Sequence, residues 1–563
     1  MKKTLLLLCS MVAGFQVSVA QHNYAEWVQY VSGEHTNTNV NNVIATQDAI
    51  FVNGAYNTSG SFGSVELPAL PSTNAFITKT DLDGNPIWTA TMGGSDSDAF
   101  FDIQLDKNKD ILAVGWSSSM GDIIINDKEV IAGNGPEYTS RGIIAKFSGE
   151  TGGLLWVKHW YASEYKTANP IRSAVDAAGN IYVSGYYDGA FAIGETEFTY
   201  DFEYGYNFFL LKINADGNII WNKQIEAEQN NTYGSVRSMG VNATGLYLTF
   251  DYAQPYVLGD ESIPYSGWGY MMCLAKFNTG TGDVVDFTTY GSENVSQGQS
   301  ALALDAKGNV IVGGHFTPES NFNIQGTLLN GYGLVDAFVA KFNSDLDLVW
   351  AKEMGGDYND RVFNITTNAS NAIFVGGGFD NYSNFNFNGT DILNAQSPNS
   401  LSMFQLHLNE DGSFNEAFAV NGIDEGTIIS NNSTQITADG VMYTGGRFVG
   451  KTQLIENGPI EDALDHTRGF FMKWENQATL STQDVNDNIQ TQIFPNPFSN
   501  EIHINIAKSE PLQVSLYTVT GQQVYVNTNF TGRTISTTNM QPGVYFLKIE
   551  KQGYAKTVKL IKK

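Results

Sequence analysis

The sequence predicts an all-β protein. Three observations carry that prediction: a strand-bearing segment recurs about every 66 residues, the composition favours strands and turns, and a tail of alternating strands follows a polar spacer. Of 563 residues, 57 are glycine and 12% are aromatic, while only 16% are charged, against about a quarter in a typical globular chain. Gly, Asn, Thr, Tyr and Phe dominate where a helical protein would lean on Ala, Glu, Lys and Leu. With 31 basic against 58 acidic side chains the formal net charge is −27, which repels nucleic acid and anionic membrane surfaces.

The chain opens with Lys2 and Lys3, an apolar run from Leu5 through Val12, and the small residues Ser18 and Ala20. This pattern describes a secretory signal peptide over residues 1–20, cut between Ala20 and Gln21. The run is shorter than the ~18–20 residues a membrane span needs, and no later segment is long and apolar enough to cross. Cleavage removes Cys9 and leaves Cys273 alone, so no internal disulfide forms. Cys273 lies in the apolar run from Met271 to Leu274 and reads as a buried thiol. Without such a staple the fold must rest on a large core, ring closure or metal.

The repeat is marked by Phe76-Ile-Thr-Lys, Ile143-Ile-Ala-Lys, Phe209-Leu-Leu-Lys, Phe338-Val-Ala-Lys and their counterparts. Its register residues are Lys79, Lys146, Lys212, Lys276, Lys341, His407 and Lys473, spaced by 67, 66, 64, 65, 66 and 66. A turn and a Trp strand follow: Asp83-Gly84 before Trp88, Thr151-Gly152 before Trp156, Asp216-Gly217 before Trp221. Asp-Gly between apolar runs signals a two-residue type I′ hairpin, in which both central residues need positive φ. A second strand type, apolar on both faces, ends at Gly54, Gly115, Gly185, Phe250, Gly314, Gly377 and Gly446.

Seven strands of each type are offset in order. The chain begins with a Trp strand (Glu26-Trp27-Val28) that has no Lys strand before it, and the last Lys strand (Gly469 to Trp474) has no Trp strand after it. A closed ring joins the two halves, which predicts a seven-bladed β-propeller over residues 21–476, closed by its N- and C-terminal strands. Propeller repeats of roughly 40–50 residues leave about 15–25 extra per blade, expected as long loops that crowd one face and bind ligands. A linker over 477–488 precedes a basic module, 489–563, with eight basic and three acidic residues. Alternation at Ile502, Ile504 and Ile506, and again at Tyr545, Leu547 and Ile549, predicts a small Ig-like β-sandwich there.

The tail resembles the type A C-terminal sorting domain of the type IX secretion system. The resemblance rests on Phe494-Pro495-Asn496-Pro497-Phe498, Gly521, Gln541-Pro-Gly543-Val-Tyr545 and the terminal Lys559-Leu-Ile-Lys562. It implies export across the inner membrane by the signal peptide, recognition of the folded tail by the secretion machinery at the outer membrane, and release or attachment at the cell surface. The repeats are similar, more loosely, to those of secreted bacterial β-propeller proteins, a likeness that implies architecture and not activity.

No nucleophile elbow, paired zinc-binding histidines or phosphate loop is present. His407 stands where other repeats carry Lys, which suits a structural role. The chain leans away from an enzyme and reads as a secreted or cell-surface binding protein for a glycan or protein ligand. A hydrolase or lyase assembled at the central channel, and a structural adhesin, are the alternatives. Candidate binding residues follow the second strands: Trp116, Tyr186, Tyr187, Phe316 and Phe379. Asp96, Asp98 and Asp102, with Asp357 and Asp360 at the same place in another repeat, are candidate Ca²⁺ ligands, because hard cations want several loop oxygens. No other cofactor is expected.

Overall fold

The protein was studied as a computed structural model. It describes residues 25–563 apart from 34–36, 127–128, 134, 137–138, 266–268, 292–297, 319–321, 381–382, 394–399, 456–457, 462–465, 475–490, 495–497, 507–511, 519–521, 532–533 and 552–553. The expected signal peptide with its Ala20–Gln21 cut, the linker 477–488, and Pro495, Asn496, Pro497 and Gly521 lie outside the described residues. Two compact units divide the chain, Met1–Glu475 and Asn476–Lys563. Strands account for the regular structure of the described residues, and no helix there is long and apolar enough to cross a membrane.

In the first unit the described strands form antiparallel groups of four, each ordered as first, second, Lys and Trp strand. The first group is Thr38–Ala45, Ile50–Asn57, Thr73–Thr80 and Pro86–Gly93. Five further groups of this kind begin at Asp98–Leu105, Ala168–Val175, Gly234–Asn242, Gly298–Leu304 and Asp360–Thr367. The last runs Ile428–Ile436, Met442–Val449 and Arg468–Trp474, and its fourth strand is Ala25–Ser32 from the other end of the chain. Gln29 pairs with Phe471 and Val31 with Gly469. A single parallel bridge, Leu401 to Ile428, joins the sixth and seventh groups into one larger sheet.

The first strands pack on one another in cyclic order, with Ile428–Ile436 against Thr38–Ala45 as well as against Asp360–Thr367. Apolar cores lie between neighbouring sheets. Leu112, Val114 and Ile144 of the second sheet meet Ile181, Val183 and Phe209 of the third. Val31, Tyr443 and Phe471 of the seventh meet Val40, Val52 and Phe76 of the first. The chain ends are therefore joined by the same kind of core as every other junction.

The repeated residues explain themselves at these junctions. Lys79 Nζ and Trp88 Nε1 both donate to the carbonyl of Gly149 in the next sheet's turn, at 2.8 and 3.4 Å. Lys146 and Trp156 reach Ala215 in the same way, Lys212 and Trp221 reach Thr279, and Lys341 and Trp350 reach Glu410. The turn glycine then lies flat on the Trp ring, so that a Cβ on Gly152 would come within 2.6 Å of Trp88. Trp27 and Gly84 make the same contact across the join of the chain ends, at 2.7 Å. Lys146 and Lys341 are also buried beside Asp106 and Asp305, each at 2.8 Å.

Two expectations need correction. The Asp-Gly turns are not two-residue type I′ hairpins. Thr80 pairs with Pro86 across a five-residue loop, where Asp81 Oδ1 accepts from the Asp83 and Asn85 amides and only Gly84 needs positive φ, +81°. One left-handed residue suffices because the Asp side chain ties the rest of the loop. The extra residues of each repeat, moreover, are not free binding loops. They fold into short hairpins that reach back to the Trp strand of the preceding sheet, as Phe62 to Val31, Ile124 to Gly93, Val257 to Glu226 and Phe387 to Met354. Isolated bridges do the same for Phe191 to Ala162, Asn323 to Gly291 and Thr452 to Gly422. Each hairpin covers an otherwise bare sheet edge and adds buried apolar side chains such as Phe62, Ile125, Phe198, Leu258 and Ile324.

The second unit has two antiparallel sheets, one of Thr491–Phe494, Glu501–Ile506 and Thr534–Ser536, the other of Gln523–Phe530, Leu512–Thr518, Gly543–Lys551 and Tyr554–Lys562. They share one core that includes Ile502, Ile504, Val514, Leu516, Tyr545, Leu547 and Ile549.

Substituting Gly84→Ala tests the join. It forces a left-handed alanine and presses its Cβ on Trp27, so a loss of about 2–4 kcal/mol is expected, read as a lower urea midpoint of unfolding. An unchanged midpoint would contradict this packing.

Candidate functional site

Every first strand carries a β-bulge at the same place, at Asn41, Phe101, Ile171, Arg237, Ser300, Phe363 and Asn432. The bulge explains the glycine that ends the second strand. A Cβ on Gly185 would fall 2.0 Å from the Asn169 carbonyl, which the bulge presses against it. It also brings side chains from neighbouring sheets together. Asn432 Nδ2 donates to the Val40 carbonyl at 2.8 Å, Asn41 Nδ2 to that of Phe100 at 3.2 Å, and Asp102 Oδ2 accepts from the amide and hydroxyl of Ser173 at 2.8 and 2.9 Å.

Just before each bulge a paired position forms a rim: Asn39 with Ala55, Ala99 with Trp116, Asn169 with Tyr186, Ser235 with Asp251, Gly298 with His315, Arg361 with Gly378, and Ser430 with Arg447. The residues that hold the sheets together mostly repeat, whereas no two of these pairs are alike. Trp116 stacks on Phe101 with centroids 6.4 Å apart, and Tyr186 meets Tyr206 edge-on at 5.0 Å. Both are partly exposed. Tyr187, Phe316 and Phe379, the other aromatic candidates, are at most 1% exposed and belong to the cores between sheets. Their side chains point one position away from the rim, which leaves no face for a ligand.

Beside the aromatic pair lies a charged group that sequence reasoning missed. Arg237 Nε donates to Asp251 Oδ2 at 2.7 Å, and Arg172 Nε to the main-chain carbonyl of Arg237 at 2.6 Å. A Cβ on Gly298 would touch both His315 Cε1, at 2.8 Å, and Asp251 Oδ2, at 3.4 Å, so the glycine leaves room for imidazole and carboxylate side by side. Burial, with Arg361 and Arg237 nearby, pushes His315 down to about 3, so its ring is neutral at ordinary pH, and its buried Nδ1 has no hydrogen-bond partner among the described residues. The signal for this group was arginine itself: the first unit has six, and lysine fills all but one of the repeated structural positions.

The acidic candidates take separate roles. Asp96 and Asp357 are exposed on loops, while Asp98 and Asp360 are buried at the starts of first strands and Asp102 is buried beyond a bulge. Among the described residues no group of three or more His, Cys, Asp or Glu is placed to hold a metal ion. Asp360 instead meets Asp336, which was not foreseen. A Cβ on Gly355 would lie 2.0 Å from Asp336 Oδ1 and 2.9 Å from Asp360 Oδ2. Burial raises both acids, Asp336 to about 6 with Glu353 and Asp357 adding to the shift, and Asp360 well up with Asp336 and Asp380 adding to it. Asn74 and Asn207 stand at the matching position of other repeats.

Cys273 is buried, and burial pushes its thiol well up. His407 stacks on Phe374 at 4.4 Å and faces Glu416 at 3.2 Å.

In the second unit the two ends of the sorting motif meet. The Phe498 amide donates to the Ile561 carbonyl at 2.8 Å, the Lys563 amide to that of Phe498 at 3.0 Å, and Lys562 Nζ both reaches the Ser499 carbonyl and lies 5.7 Å from the Phe498 ring centre. Lys559 pairs with Phe546, and Tyr545 Oη donates to the Gln541 carbonyl at 2.8 Å. Residues 492–563 match a family model described as the secretion system C-terminal sorting domain. The tail is a type IX sorting domain. It directs the chain through the type IX secretion machinery to the cell surface or the medium.

The match covers the tail alone. No curated protein matches the chain. Among solved structures, a protein of unknown function from Bacteroides caccae is 12% identical, over 51% of this chain and 92% of its own, with a TM-score of 0.24. A DUF4221 family member from Bacteroides vulgatus is 11% identical, over 67% and 92%, with a TM-score of 0.29. The endosialidase of phage phi92 is 9% identical, over 95% and 87%, with a TM-score of 0.28. At those scores the three likenesses carry no argument about site or ligand.

Two outcomes are expected. A chain lacking residues 492–563 is retained in the periplasm on cell fractionation, and its appearance outside at the full-length level would contradict the sorting role. For Asp336, a carboxyl raised from 3.8 to about 6 supports the fold fully below about pH 4, and that support is lost as pH rises through about 6. Asp336→Asn should therefore stabilise the protein by about 2–3 kcal/mol at pH 7.5 and change little at pH 4, as measured by urea unfolding at both values.

Proposed function

We propose that the first unit is a seven-bladed β-propeller closed by its terminal strands, and that the exported protein binds a glycan or protein ligand at the rim around the propeller axis. The cyclic packing of the first strands and the pairing of Ala25–Ser32 with Arg468–Trp474 support the closed ring. The observation that carries the binding reading is the division of labour within the repeat: residues at the junctions mostly recur, and no two of the rim pairs are alike. A purely structural ring would have no use for that difference. The two sheets of the tail, sharing one core, support an Ig-like sandwich, and residues 1–20 are proposed as the signal that carries the chain across the inner membrane.

A hydrolase or lyase is the second reading, favoured by the buried Asp251 carboxylate beside the neutral His315. A glycan array and a pull-down from cell-surface extracts, using the full mature chain, test the first. Binding that falls at least tenfold in Trp116→Ala, with unfolding unchanged, is the expected result. Silence in both assays, or binding indifferent to Trp116 and Tyr186, would overturn it.

A further inference from the structure

Of the six arginines in residues 25–475, four stand on first or second strands at or beside the rim: Arg172, Arg237, Arg361 and Arg447. The region around them is acidic overall, so the concentration is not a matter of composition. Arg172 and Arg237 lie near enough to influence one another, as Arg237 and Arg361 do His315. Arg237 is neutralised by Asp251, and Arg172 has Asp102 close by. Arg361 is different. It is exposed, and its side chain makes no hydrogen bond or ion pair among the described residues.

A guanidinium without a carboxylate partner is free to take an arriving anion, and its planar fork suits a carboxylate or sulfate. Arg361 opens into a cleft of about 590 Å³ lined also by Phe363, Leu401 and Ile428, a size that fits a small ligand and not a protein surface. Asp380 borders the cleft, with its Oδ2 taken by the amide and side chain of Asn359 at 3.1 and 3.0 Å. The net charge of −27 repels extended polyanions and leaves a single charge at short range the best fit.

We propose that this cleft binds one acidic sugar at the end of a glycan, its carboxylate or sulfate held by Arg361 and its ring against Phe363. The inference rests on the rim being a binding site and names the ligand class for it.

Calorimetric titration of the full mature chain with 3′-sialyllactose, 3′-sulfolactose and plain lactose tests it, in wild type, Arg361→Gln and Arg361→Lys. One or both acidic probes should bind while lactose does not. Affinity should fall at least tenfold in Arg361→Gln with the unfolding midpoint unchanged, and less in Arg361→Lys, which keeps the charge and loses the fork. The pair of acidic probes separates carboxylate from sulfate. Acidic probes that bind Arg361→Gln as well as wild type would overturn the inference, as would failure of both acidic probes. If a glycan or protein ligand is nonetheless lost in Trp116→Ala, the rim reading survives without this ligand class. If nothing binds in either experiment, both fall.

Discussion

The first unit depends on one backbone ladder, the pairing of Ala25–Ser32 with Arg468–Trp474. The two strands are more than 430 residues apart, so closing that loop costs chain entropy that local contacts do not meet. Several independent contacts offset the cost at one place. Trp27 lies under Gly84, Val31 and Phe471 enter the core against Val40 and Val52, the Val43 amide donates to Ser433 Oγ at 3.0 Å, and the Thr467 carbonyl accepts from the Thr38 amide at 2.9 Å. With the ends joined, neither the first nor the last sheet keeps a bare face. Without the ladder, Trp27 and Tyr443 would face water.

Around that join the contacts between neighbouring sheets of the first unit follow a common plan. Each junction combines an apolar core with a hairpin or bridge sent back over the preceding edge, and four of the seven add a Lys and Trp pair sharing one carbonyl. Single hydrogen bonds of this kind are worth about 1 kcal/mol, so their effect lies in repetition and in fixing the angle between sheets. This leaves the rim free to vary. Trp116, Tyr186, Asp251, His315 and Arg447 occupy one structural position and range from aromatic to acidic to basic.

Much of this was legible in one dimension because the physics is local. The Lys and Trp registers, the apolar second strands and the orphan half-repeats at the two ends all follow from patterns within a single copy. The errors have a common cause. Asp83-Gly84 looked like a two-residue turn because the bonds from the Asp83 and Asn85 amides to the Asp81 side chain do not appear in the spacing. The hairpins passed for loops, although Phe191-Ala-Ile-Gly and Phe385-Asn-Phe-Asn repeat the apolar spacing of a strand before a turn. The site was the least visible part. Arg172, Arg237, Arg361 and His315 are brought together from four sheets by bulges that leave no mark in composition, and Tyr187, Phe316 and Phe379 sit one residue beyond the rim, where alternation turns them into the core. In the tail, by contrast, Phe498 and Lys562 were both within quoted motifs, and only their contact was new.

Native-state hydrogen exchange on the full chain tests the central claim most directly. The account predicts that amides of residues 25–32 are protected to the same free energy as those of 470–474 and of the inner strand 38–45, all opening together. Exchange of residues 25–32 within seconds, while 470–474 and 38–45 stay protected, would contradict a ring held shut by its own two ends.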